Sequence, residues 1–155
     1  MENILFAIFD IFNFGLLVFL WWFTVKHYKT LPQTIPVHFD FDGKADNFGS
    51  KKYFFLMPVL GTAFFILFAY VVRDPESANF PVKIIPENKW IQFLIMNIFI
   101  RWIYTLLMMI FLNTQDYMFR YSFDENVKPK IKMTTAILSV LVSVMAVFII
   151  TAQFK

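Results

Sequence analysis

The chain has 155 residues, of which 59% are hydrophobic, 21% aromatic and only 16% charged, with a net charge of +3. So little polar surface excludes an ordinary soluble domain, and four glycines, seven prolines and no cysteine exclude collagen-like or disordered chains, disulfides and thiolate chemistry. A charge of +3 is too small to argue for nucleic acid and fits loop lysines beside anionic lipid.

An apolar run of about 20 residues crosses a hydrocarbon core of about 30 Å as a helix. The first such run covers residues 4–25 and is interrupted by Asp10 and Asn13. Trp21 and Trp22 close it with an aromatic belt. No basic residue precedes it and no small-x-small site follows, so it does not read as a cleavable signal peptide.

The first connection, residues 26–52, is the most informative part of the chain. Leu31-Pro32 stops the helix. Val37, Phe39 and Phe41 alternate with His38, Asp40 and Asp42, the period of a half-buried strand. Asp42-Gly43 is a turn signal, residues 44–48 can fold back as a second arm, and Ser50 is a candidate N-cap. The expectation is a structured loop, a short β-hairpin between the first two helices.

The second run, residues 53–72, carries no charge, and Pro58 is expected to bend it near its start. The third, residues 90–112, carries one charge, Arg101, and also Asn97. Asp116 and Arg120, four apart, suit an ion pair on a helix that continues past the membrane. The fourth run covers residues 133–153, where Thr135, Ser139 and Ser143 recur every four residues as a packing stripe. The fold class expected is an all-α integral membrane protein: one domain, residues 1–155, of four transmembrane helices.

Asp10 and Arg101 are the charges inside the spans. Helix rise puts them roughly 10 Å and 17 Å from the same membrane face, within reach of each other once the arginine leans. Asn13 and Asn97 can complete the hydrogen bonds. Such a group either pins two helices or couples an ion. His38, Asp40, Asp42 and Asp46 have the donor types of a small cation site. The plainer reading is a histidine bonded within its turn, with Asp42 and Asp46 capping amides. That reading is preferred, so no metal or cofactor is expected. Catalytic motifs are absent, and the two histidines, His27 and His38, lie outside HExxH context, so the chain is not read as an enzyme.

The run LPxxIPxHFxxxGxxDxxGSK resembles a bacterial membrane domain of unknown function that also forms the N-terminal part of SdpI-type immunity proteins. Leu31, Pro32, Ile35, Pro36, His38, Phe39, Gly43, Asp46, Gly49, Ser50 and Lys51 carry the resemblance, with Phe48 before the Gly-Ser pair. A second similarity lies in residues 79–84 (NFPVKI), followed by Glu87, Asn88 and Gln92. The resemblance implies a multi-pass protein of the bacterial inner membrane, with the loop outside. Lysine and arginine count the other way: nine on the side of the first and third connections and four on the other, which places that loop in the cytoplasm. The function expected is binding or sensing, with the loop residues Leu31, Pro32, Ile35, Pro36, His38, Phe39, Gly43, Asp46, Gly49 and Lys51 contacting a peptide, lipid or partner protein. The alternative is a small ion-coupled transporter, working as a homo-oligomer through Asp10 and Arg101.

Overall fold

The computed structural model describes residues 2–155. Helix α1 covers Glu2–Tyr28, strands β1 and β2 cover Thr34–Phe39 and Ala45–Ser50, and a 3-10 turn, Lys51–Phe55, runs into α2, Leu56–Val71. Helix α3 covers Lys89–Tyr121 and α4 covers Met133–Ala152. Four helical segments (2–28, 51–71, 89–121 and 133–152) are long and apolar enough to cross a membrane. The chain is thus a multi-pass membrane protein with one small hairpin.

Both membrane faces can be read from bonds between helix ends. At one face Trp90 donates to Glu2 at 2.9 Å, and Gln92 reaches the carbonyls of Thr151, at the end of α4, and of Phe154 just beyond it. At the other, Asn113 exchanges two hydrogen bonds of 2.9 Å with the backbone of Ile131, just before α4 begins. Helix α3 has 33 residues, about 50 Å at 1.5 Å each, against a core of about 30 Å. Its C-terminal turns therefore rise above the bilayer. The Asp116–Arg120 pair lies there at 2.9 Å, with Lys130 adding a second contact at 3.3 Å.

Helices α1, α2 and α3 pack on one another, whereas α4 packs on α3 and makes little contact with the other two. The fold is three helices plus a flanking fourth rather than a symmetrical bundle. Leu17, Leu20, Tyr104, Met108 and Phe111 form the central cluster. Gly61 lets α2 approach, since a Cβ there would stand 3.3 Å from both Leu17 and Met108. On α4 the buried stripe is Ala136, Val147 and Thr151, with Ser139 and Ser143 partly covered. Thr135 is exposed, so the expected four-residue stripe is shifted by one position at its start. Ser143 meets α3 by accepting from Trp102 at 2.9 Å.

Ser50 does cap the 3-10 turn, accepting from Lys52 N at 3.4 Å. Pro58 stands third in α2, where its missing N–H costs no intrahelical bond of the α-helix proper. It leaves the Phe54 carbonyl without its i+4 donor.

Candidate functional site

The hairpin stands over the end of α3. Thr34 pairs with Ser50, Ile35 with Gly49, Pro36 with Phe48, His38 with Asn47 and Phe39 with Ala45, with irregularities on either side of His38. Pro36 cannot donate to a ladder, and a two-stranded ribbon with one bulged arm accommodates it. Asp40 N donates to Lys44 O at 2.9 Å, Gly43 N to Asp40 O at 3.0 Å, and Lys44 N to the Asp40 carboxylate at 2.8 Å. Gly43 closes the turn at φ +83°, a conformation that side chains resist.

The hairpin departs from the sequence expectation at two places. Phe41 is 80% exposed, because β1 ends at Phe39 and Phe41 belongs to the turn, not to the alternating arm. Asp40, rather than Asp42 or Asp46, caps an amide, because the turn opens at Asp40 and its carboxylate reaches across to residue 44. Asp46 instead takes the His38 ring at 2.5 Å, on the outer face of the hairpin.

Most of the remaining motif residues hold the cap together. Leu31 and Ile35 are buried with Phe54 and Met118, and Pro36 is fully covered. Phe39 packs on Tyr117 and Tyr121, at ring distances of 4.5 and 5.3 Å. Tyr117 donates its hydroxyl to the Gly43 carbonyl, and Tyr121, one turn on, accepts from Ala45 N at 3.4 Å. A Cβ on Gly49 would press on Tyr53 and Val37 at 3.1 and 3.2 Å. Lys51 bonds Gln33 O through its amide and covers the Tyr28 ring. Pro32, His38 and Asp46 face outward.

Between the hairpin turn, the upper part of α3 and the 122–132 connection lies a cavity of about 400 Å³. Its walls include Asp40, Gly43 and Lys44 from the turn and Tyr117 and Tyr121 from α3. That volume lies within the range of small-molecule sites, roughly 300–1,000 Å³.

The second polar group lies deep in the bilayer half that is farther from the hairpin. Arg101 donates from Nε to Asp10 Oδ1 at 2.9 Å and from Nη2 to Oδ2 at 3.2 Å, a bidentate pair. Its Nη1 donates to the Asn97 carbonyl and side chain at 3.1 and 3.0 Å, and the guanidinium lies 4.4 Å from the Phe6 ring centre. Asn13 donates to Arg101 O at 3.1 Å and accepts from Thr105 at 2.7 Å. The structure thus brings Asp10, Asn13, Asn97 and Arg101 into one network across α1 and α3. The Arg101 side chain is 9% exposed, but that of Asp10 is 53% exposed. Asp10 looks into a cavity of about 360 Å³, shared with Phe68, Ala69, Tyr104 and, from the end of α2, Arg73.

A third polar group was not singled out in the sequence. Gln115, fully buried, donates to Thr24 at 2.8 Å and to the Phe54 carbonyl at 2.7 Å. It supplies the donor that Pro58 cannot. The one available signal was that proline, four residues after Phe54, leaving a carbonyl in need of a partner. Similarly Asn88 and Gln92, noted beside the NFPVKI stretch, are buried: Asn88 ties Lys83 O and Ile85 N, and Gln92 ties Thr151 O and Phe154 O.

Comparison with known proteins bears on the hairpin. Residues 15–62 match a family described as a domain of unknown function (DUF1648). That segment runs from the middle of α1 through the hairpin to the start of α2, and Trp21 Nε1 donates to Thr62 at 3.0 Å near its two ends. An uncharacterized protein of Archaeoglobus fulgidus is 29% identical over 77 residues, which cover 44% of this chain and 42% of that protein. The match spans less than half the length of that relative. No solved structure matches the chain.

Proposed function

We propose that this chain is a non-enzymatic binding protein of the bacterial inner membrane, whose ligand seats in the cavity beneath the hairpin turn. The observation that carries this reading is the construction of that cavity. The turn, two tyrosines of α3 and the 122–132 connection converge on one concave space at the bilayer surface. The motif's resemblance to SdpI-type immunity proteins is in keeping with an amphiphilic peptide or lipid as ligand. His38 and Asp46 lie on the outer face, away from the cavity, and their exposure supports a partner protein as what they would contact.

Transport through Asp10 and Arg101 is the second reading, favoured by a half-exposed carboxylate in a membrane cavity. Against it, the apolar cluster of Leu17, Leu20, Met108 and Phe111 packs between that cavity and the Gln115 group, so among the described residues no polar path joins the two within one chain. A transporter would need an oligomer.

Expression in a bacterium sensitive to membrane-active peptides, challenged with a panel of them, separates the readings. Binding requires protection that Thr114→Trp, which fills the cavity wall, abolishes and Asp10→Asn leaves intact. The opposite pattern supports transport. No protection by the unaltered chain against any peptide removes the immunity reading.

A further inference from the structure

The charges around the cavity are balanced. Asp40, Asp42 and Glu125 line it together with Lys44, Lys128 and Lys132, three of each sign. The lining also includes the apolar Ile110 and Ala136, within α3 and α4, and Ile131 and Met133 on either side of the start of α4. Met133 begins the membrane span of α4, so the charged part stands at headgroup level and the apolar part at the top of the acyl chains. We infer that this cavity takes a zwitterionic phospholipid with a primary amine, its phosphate toward the lysines and its ammonium toward the carboxylates.

Both features of the cavity select against a neighbouring lipid. A purely anionic headgroup would meet three carboxylates as well as three lysines, and repulsion would offset attraction. A quaternary ammonium is recognised by open aromatic faces. Here Phe39, Tyr117 and Tyr121 pack tilted or edge-on against one another, with centres 4.5–5.7 Å apart, and the Arg120 guanidinium already lies 5.9 Å from the Tyr117 ring centre, so no cage of parallel open faces is left for a second cation. A primary ammonium, by contrast, donates charge-assisted hydrogen bonds to carboxylates. Among the acids, Asp40 already accepts from Lys44 N with one oxygen, which leaves Asp42 and Glu125, both exposed, as the freer acceptors.

The inference rests on the reading that this cavity is a binding site. Native mass spectrometry of the delipidated full chain tests it, with an equimolar mixture of phosphatidylethanolamine, phosphatidylcholine and phosphatidylglycerol of one acyl composition. Phosphatidylethanolamine should be retained about tenfold over either competitor. Thr114→Trp should abolish retention. The double variant Asp42→Lys/Glu125→Lys, on exposed loops that do not enter the core, should turn the preference to phosphatidylglycerol. Equal or stronger retention of phosphatidylglycerol or phosphatidylcholine by the unaltered chain, still lost in Thr114→Trp, overturns the headgroup assignment and leaves the binding site standing. Retention indifferent to Thr114→Trp overturns the inference, since the lipid then sits elsewhere, and the peptide challenge decides the binding reading. Retention of no lipid overturns the inference, and the peptide challenge then decides the binding reading.

Discussion

The two ends of the three-helix core meet the same difficulty in opposite ways. Near the hairpin, the buried polar groups are neutral, and the chain folds back to cover them: Gln115 bridges Thr24 and the Phe54 carbonyl beneath a lid of Leu31 and Ile35. At the other end the polar groups are charged and the helices part around them, leaving Asp10 open to a cavity. The covered end is specified by shape, and its apolar lid lies where water competes. The open end is specified by charge, in surroundings already apolar. Stability should therefore be concentrated at the hairpin, and adaptability at Asp10.

The sharpest way to break this contrast is to cut one apolar side chain at each place. Ile35→Ala should cost about 2–5 kcal/mol, the range for buried aliphatic truncations against water. Leu17→Ala, between helices in lipid, should cost distinctly less, because hydrocarbon replaces what the helices lose. Unfolding in mild detergent compares the two, and equal losses would erase the distinction. Next in size is Asp10→Ala, which strands a buried guanidinium and should cost about 2–4 kcal/mol, less than a fully buried pair since Asp10 is half-exposed. Adding Arg101→Ala should restore part of that, and a double variant that loses the sum of the singles would deny the coupling. Gln115→Ala leaves the Phe54 carbonyl unbonded and should cost about 1–3 kcal/mol in a thermal denaturation series.

Smaller effects follow on the surface. Gly43→Ala forces a side chain into φ +83° and should cost about 1–2 kcal/mol, seen as lowered melting of the cap. The least is expected at Glu76, whose carboxylate is held below the usual range by the hydrogen bond from Lys89 at 2.5 Å. A lowered folded-state pKa contributes above the unfolded value and is lost as pH falls through the folded one. Fluorescence of the adjacent Trp90 should report that loosening in acid, and Glu76→Gln should remove the pH dependence.

The legible parts of this molecule were those that short-range physics decides. Asp42-Gly43 announced a turn because few other residues accept it, and the apolar run lengths announced the spans. Asp10 and Arg101 could be matched by rise per residue alone. Phe41 misled, since strict alternation continues in sequence past the point where the strand stops. Gln115 was hidden in a polar stretch, NTQDY, that reads as solvated surface until the hairpin is laid over it. The cavity was illegible for the same reason: it joins residues some 70 to 90 positions apart, and no local pattern encodes the pairing of turn and connection.

The fourth helix has a consequence for how the chain tolerates change. Asn113 and Gln92, both on α3, grip the two ends of α4 through backbone carbonyls and an amide. These clasps do not depend on which side chains α4 carries. An unrelated apolar sequence of the right length that keeps Met133 and Ala136 at the cavity, the hydroxyl at 143 and the buried Val147 and Thr151 is expected to be accepted in that place. The segment is a replaceable part, and grafting an unrelated transmembrane helix there should preserve everything built by α1, the hairpin, α2 and α3.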